Sequence, residues 1–196
     1  MKKSWIIIGV IVVLIFIIYR FFAGSYNNMV QYNEDVKSEW AKVETQYQRR
    51  SDLIGNLVNT VKGYADFEKS TLTAVIEARS QATQIKVDAN DLTPEKIAQY
   101  QKAQEQLSGS LSRLLVTVER YPDLKANESF LKLQDELAGT ENRIAVARDN
   151  FNEKARAYNV YIQSFPKNLL AGMFNFHPKG YFEATPGSEK APTVKF

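Results

Sequence analysis

The chain has 196 residues, with 25 Lys and Arg against 22 Asp and Glu, one His and no Cys. Its length fits one domain with an appendage, and a net charge of +3 is too small for a nucleic-acid footprint unless it is concentrated in one patch. The lack of Cys removes thiol nucleophiles, disulfides, cysteine-ligated zinc and iron–sulfur clusters, and the single His177 excludes a multi-His metal site within one chain. The charge is spread unevenly. Residues 1–25 carry Lys2, Lys3 and Arg20 with no acid, residues 26–165 hold 18 bases and 20 acids, and residues 166–196 hold four bases and two acids. The large middle region is nearly neutral, so nucleic acid is not an expected partner.

Residues 1–25 read as a membrane anchor. Trp5–Tyr19 is 15 residues without a charge, and Phe21 and Phe22 extend it past Arg20. A span needs about 20 largely apolar residues. Trp5 and Tyr19 sit where interfacial aromatics belong, and Arg20 can snorkel to the headgroups. The rival is a cleavable signal peptide with a small-residue site at Ala23-Gly24-Ser25, against which stands the bulky Tyr-Arg-Phe-Phe just before it. The basic flank at Lys2 and Lys3 places the N-terminus in the cytoplasm and the bulk outside. The predicted anchor is therefore single-pass, with a cytoplasmic bundle as the alternative.

Residues 26–165 read as a helical bundle. Val36, Trp40, Val43, Tyr47, Ile54, Leu57 and Val61 step by three, four or seven, with Arg50 in the skipped slot. Ile97, Tyr100, Gln104, Leu107, Leu111, Leu114 and Val118 form a second clean stripe, and Phe130 through Phe165 a third. Period-two alternation is absent, so the expected class is all-α: a transmembrane helix followed by a long antiparallel up-down four-helix bundle. Thr93-Pro94 marks a helix start and Tyr121-Pro122 a stop, while Asn127 suits a cap. Gly63 is either a C-cap, followed by Asp66 as the next N-cap, or a glycine inside one very long first helix. The second option leaves three helices instead of four. With a turn there, the helices 27–62, 66–87, 94–120 and 127–165 span about 54, 33, 40 and 58 Å.

Up-down order returns the chain to the membrane at residue 165. The 166–196 tail, expected to be mostly irregular, would then lie beside it. Leu169, Leu170, Met173, Phe174 and Phe176, flanked by Lys167 and Lys179, either dip into the headgroup region or fold back over the bundle's end.

Chemistry is sparse. Arg49, Arg50 and Asp52 form the densest polar cluster on the first helix. Arg50 lies in line with the apolar stripe, so a structural pairing with Glu141 or Asn142 on the last helix is expected. Anion binding is the functional alternative. A di-metal carboxylate bundle needs Glu-x-x-His pairs, and the sequence has none. Asn152 and Asn159, one heptad apart, read as register-fixing polar positions. No catalytic residue, cofactor or metal is expected.

Several ordered strings carry a resemblance. Gln48-Arg49-Arg50-Ser51-Asp52-Leu53-Ile54-Gly55-Asn56-Leu57-Val58, Val61-Lys62-Gly63-Tyr64-Ala65 and Tyr121-Pro122-Asp123-Leu124-Lys125-Ala126-Asn127 are similar to motifs of the LemA family. So are Leu133-Gln134, Thr140-Glu141-Asn142-Arg143-Ile144-Ala145, Ala147-Arg148, Phe151-Asn152, Tyr158-Asn159 and Phe165-Pro166. Gly55 stands where that family often has Pro, and Phe67 where it often has His. The resemblance implies a long helical bundle on the bacterial cytoplasmic (inner) membrane, no established enzymatic activity, and a link to membrane organisation. The expected function is a non-enzymatic, membrane-anchored scaffold or assembly protein that contacts lipid and self-associates. The alternative is an adaptor for a membrane protease, transporter or other envelope complex.

Overall fold

The computed structural model describes residues 2–64 and 67–184, and among them the architecture is all-helical with no strand. The expected cap at Asp66 and the end of the tail, 185–196, lie outside the described residues. α1 (Lys2–Lys62) is a single helix of 61 residues, about 90 Å long. α2 (Lys69–Gln84) and α3 (Pro94–Val118) follow, then the short α4 (Pro122–Lys125), α5 (Glu128–Gln163) and α6 (Lys167–Met173).

The helix breaks fall where local chemistry demands them. α1 stops at Lys62, and the next two amides tighten the last turn, Gly63 N–H donating to Thr60 C=O and Tyr64 N–H to Val61 C=O. The very long alternative to a break at Gly63 is thereby excluded. Thr93 caps α3 by accepting from the Lys96 amide, with Pro94 at the first helical position. Asn127 caps α5 by accepting from the Phe130 amide at 3.0 Å, and its amide nitrogen donates to the Tyr64 hydroxyl at 3.1 Å. One side chain therefore starts α5 and ties it to the far end of α1. At residues 25–26 no break occurs: the apolar stretch and the first bundle helix are one continuous rod.

α1 packs antiparallel on α5, and α2 on α3. The interior divides into two apolar clusters. The far cluster joins Ile54, Leu57 and Val61 to Val75, Leu107, Leu114, Leu124 and Phe130. The cluster nearer the apolar stretch joins Met29, Trp40 and Val43 to Ile97, Tyr100, Phe151 and Tyr158. α2 ends and α3 begins well short of residue 29's level. There the α1–α5 pair is covered instead by the 85–93 connection, α6 and the stretch 174–184, which contribute Val87, Leu92, Leu170 and Phe182 to the core.

Candidate functional site

Arg50 sits at the seam between the two clusters and is only 2% exposed. Its guanidinium donates to Gln104 Oε1 at 2.6 Å, to Gln104 C=O at 3.2 Å, to Ser108 Oγ at 2.9 Å and to Glu141 Oε2 at 3.1 Å. It also lies 4.9 Å from the Tyr47 ring centre. Nε has no partner. α1, α3 and α5 thus meet on one cation. The expected pairing with Glu141 is present; Asn142, one residue on and about 100° around the helix, is exposed and makes no bond to Arg50. Arg49 instead faces Glu136 at 3.9 Å, and Asp52 accepts from Gln48 on its own helix at 2.9 Å. Those two are surface contacts of small energetic weight, and the five residues do not converge on one ligand position.

Beside this layer a cavity of about 520 Å³ opens between α1, α3 and residues 82–88, bordered by Glu44, Tyr47, Ser51, Tyr100 and Gln104. The buried Ser51 hydroxyl has no partner there. Burial raises the Glu44 carboxyl above its usual range. Burial also pushes up the Tyr47 phenol, against the pull of Arg148 and Arg50, and the Tyr100 phenol; Tyr158 is pushed up to about 12. Each of these tyrosines keeps its proton in the fold at a pH where the unfolded chain loses it. The folded state then binds more protons, so stability falls as pH climbs past the free phenol value near 10. Denaturant midpoints are expected to decline steadily above that pH, and replacing Tyr100 with Phe should flatten the decline.

Residues 179–183 run extended along α5, away from the apolar stretch. Three amide side chains hold them. Asn159 donates to Lys179 C=O and accepts from Lys179 N–H, both at 2.8 Å. Asn152 does the same for Phe182 at 2.8 and 2.9 Å, and Gln101 for Glu183 at 3.0 Å each way. Each amide mimics the edge of a strand, so the backbone polar groups are satisfied without a sheet. The heptad-spaced asparagines therefore hold the tail. Phe182 inserts between Trp40, Phe151 and the Arg148 guanidinium. Burial lowers the Lys179 ammonium pKa, with nearby Lys37 adding to the effect. Gly180 passes so close to α3 that an added Cβ would lie 2.7 Å from Pro94 Cα. Gly180→Ala is expected to unseat this strap, seen as loss of amide exchange protection at Phe182 while α1–α5 protection persists.

At the other end, the span side chains are exposed along their length, Trp5, Tyr19 and Arg20 included. The five tail residues expected near a membrane separate. Leu170 is buried against the bundle and Phe176 is partly buried, while Leu169, Met173 and Phe174 face solvent. Phe174 and Phe176 pack edge-on against Tyr26, with ring centres 4.9 and 5.8 Å away.

The chain is similar to known proteins. The LemA family matches residues 39–196. Magnetosome protein MamQ 2 of Paramagnetospirillum magneticum is 27% identical, covering 84% of this chain and 66% of the relative. Magnetosome protein MamQ of Magnetospirillum gryphiswaldense is 28% identical with the same coverage. Protein LemA of Metamycoplasma hominis is 24% identical over 86% of this chain and 74% of its own length. The chain thus spans just under two thirds of the magnetosome relatives. Among the described residues one apolar stretch is long enough to cross a membrane, and none of it is buried in the bundle. The protein is membrane-associated, and it belongs to the LemA family.

Proposed function

We propose that the protein is a non-enzymatic scaffold of the bacterial envelope, anchored in the cytoplasmic membrane by α1 and self-associating there. The observation that carries this reading is the continuity of α1. A span and a bundle joined by an unbroken helix hold the bundle at a set angle to the span, which suits a structural post more than a tethered catalyst. Ser25 and Met29 are buried against the bundle's end, which counts against removal of the anchor at Ala23–Ser25. Among the described residues no three His, Asp or Glu side chains gather in a metal-holding group, and Arg50 is consumed by structural bonds. The relatives named for magnetosomes agree with a role in membrane organisation.

The full-length chain in lipid nanodiscs of increasing diameter tests self-association. Particles holding several copies in the larger discs are expected; single copies at every disc size and concentration would overturn it. Crosslinking in cells separates the adaptor alternative, since a stoichiometric second protein would replace self-products. The same reading places the bundle outside the cytoplasm, on the strength of Lys2 and Lys3. Val116 is exposed at the far end, and the native chain has no Cys. Val116→Cys should therefore react with an impermeant thiol reagent on spheroplasts, whereas reaction only after lysis would place the bundle inside.

A further inference from the structure

The anchor end of the bundle carries an apolar surface that none of the described residues covers. Phe165, Leu169 and Met173 are 81%, 61% and 70% exposed, and Phe174 adds a fourth large side chain. Leu169 and Met173 share one face of α6, while Leu170 and Ala171 on its other face are buried in the bundle. An exposed apolar stripe of this kind marks a surface that meets something apolar. Its position decides what. α6 packs on α1, where Ser25 and Met29 are buried and Tyr26 meets Phe174 and Phe176. Ser25 is three residues beyond Phe22, the last residue of the apolar stretch, a rise of only about 4.5 Å.

Charge points the same way. Residues 1–33 and 154–182 contain no Asp or Glu, and of the bases in the second stretch Lys167 flanks the exposed face, while Lys179 is buried over the Tyr158 ring and Asp91 of the 85–93 connection shares a pocket with Phe174. Lys167 rests over the Tyr161 ring at 3.9 Å, which keeps a cation beside the apolar face. Apolar side chains on one face with a base at its edge are the pattern of a helix lying in a headgroup layer.

We infer that α6 is a second membrane contact: Phe165, Leu169, Met173 and Phe174 enter the interfacial layer of the bilayer that α1 crosses, with Lys167 toward anionic headgroups. This rests on the reading of α1 as an anchor. The bundle is then held at two points, and the side toward which α1 leans is fixed as the side that carries α6.

The test uses the full chain in vesicles of phosphatidylcholine and phosphatidylglycerol, with an environment-sensitive fluorophore on one introduced cysteine at a time. Lipids carrying spin labels near the headgroup or near the chain end report depth. At Met173→Cys a blue-shifted emission is expected, quenched mostly by the shallow label. Val12→Cys should be quenched mostly by the deep label and Val116→Cys by neither. Leu169→Glu combined with Phe165→Glu should remove the shallow quenching at 173 and leave Val12→Cys unchanged. A 173 probe that behaves like the 116 probe, with 12 still quenched, overturns the α6 contact and leaves the anchor standing. A blue-shifted 173 probe that neither label quenches means a second copy covers the face, which also overturns it. An unquenched probe at 12 removes anchor and contact together.

Discussion

Arg50→Ala is expected to destabilise the bundle by about 3 kcal/mol. The variant opens a cavity where the side-chain stem packs and takes from Gln104 Oε1 its donor at 2.6 Å, while the Gln104 carbonyl keeps the Ser108 hydroxyl. Arg50→Met, which refills most of that volume, should recover part of the loss. Arg50→Lys should recover little, since one ammonium cannot match a planar fork aimed at Gln104, Ser108 and Glu141 together. Glu141 gives the internal check. Its side chain is 58% exposed, so Glu141→Gln is expected to cost under about 1 kcal/mol. Chemical denaturation of the detergent-solubilised chain, followed by circular dichroism, reads all four. If Glu141→Gln costs as much as Arg50→Ala, the ion pair, and not the cage built by Gln104 and Ser108, holds the seam.

Trp40→Ala should cost about 4 kcal/mol, the largest effect of any single truncation here. Trp40 is fully buried and its ring meets three others: Tyr100 from α3 at 5.2 Å, Phe151 from α5 at 5.6 Å, and Phe182 from the strap at 6.1 Å in a stacked arrangement. Three separate chain segments lose their common partner at once. Phe182→Ala removes only the strap's anchor, so its cost is limited to the docking energy of residues 179–183. Amide exchange distinguishes the two. Trp40→Ala should lower protection in α3, α5 and the strap together, and Phe182→Ala in the strap alone. Equal loss across all three segments in both variants would mean that the strap is integral to the bundle's cooperative unit.

The helices were legible in the sequence because their burial is one-sided and periodic. Val36, Trp40, Val43 and Tyr47 announced the buried face of α1, and Thr93-Pro94, Tyr121-Pro122 and Asn127 announced the ends of the later helices. Arg50 was legible because a cation within an apolar stripe must find partners, and Glu141 lay at a matching height on the antiparallel neighbour. Two features left no comparable trace. The strap has no periodicity, since its backbone bonds are made by Asn159, Asn152 and Gln101 from elsewhere in the chain, and only Phe182 and Gly180 are specified by shape. The uninterrupted passage of α1 through residue 25 was hidden by the change of composition there: apolarity ends at Phe22 while the helical hydrogen bonds continue. α6 combined both difficulties, because Leu170 and Leu169 are adjacent in sequence yet meet opposite surroundings.

An unbroken rod has a mechanical consequence. From Ala23 to Lys62 α1 extends about 60 Å past the apolar stretch. A span that tilts by about 20° to match a thinner bilayer carries the tip of such a rod sideways by about 20 Å when nothing between them bends. A few ångströms of thickness at one end become a displacement the width of a small domain at the other, and neighbouring molecules splay or converge accordingly. The molecule is built as a lever whose short arm is the bilayer itself.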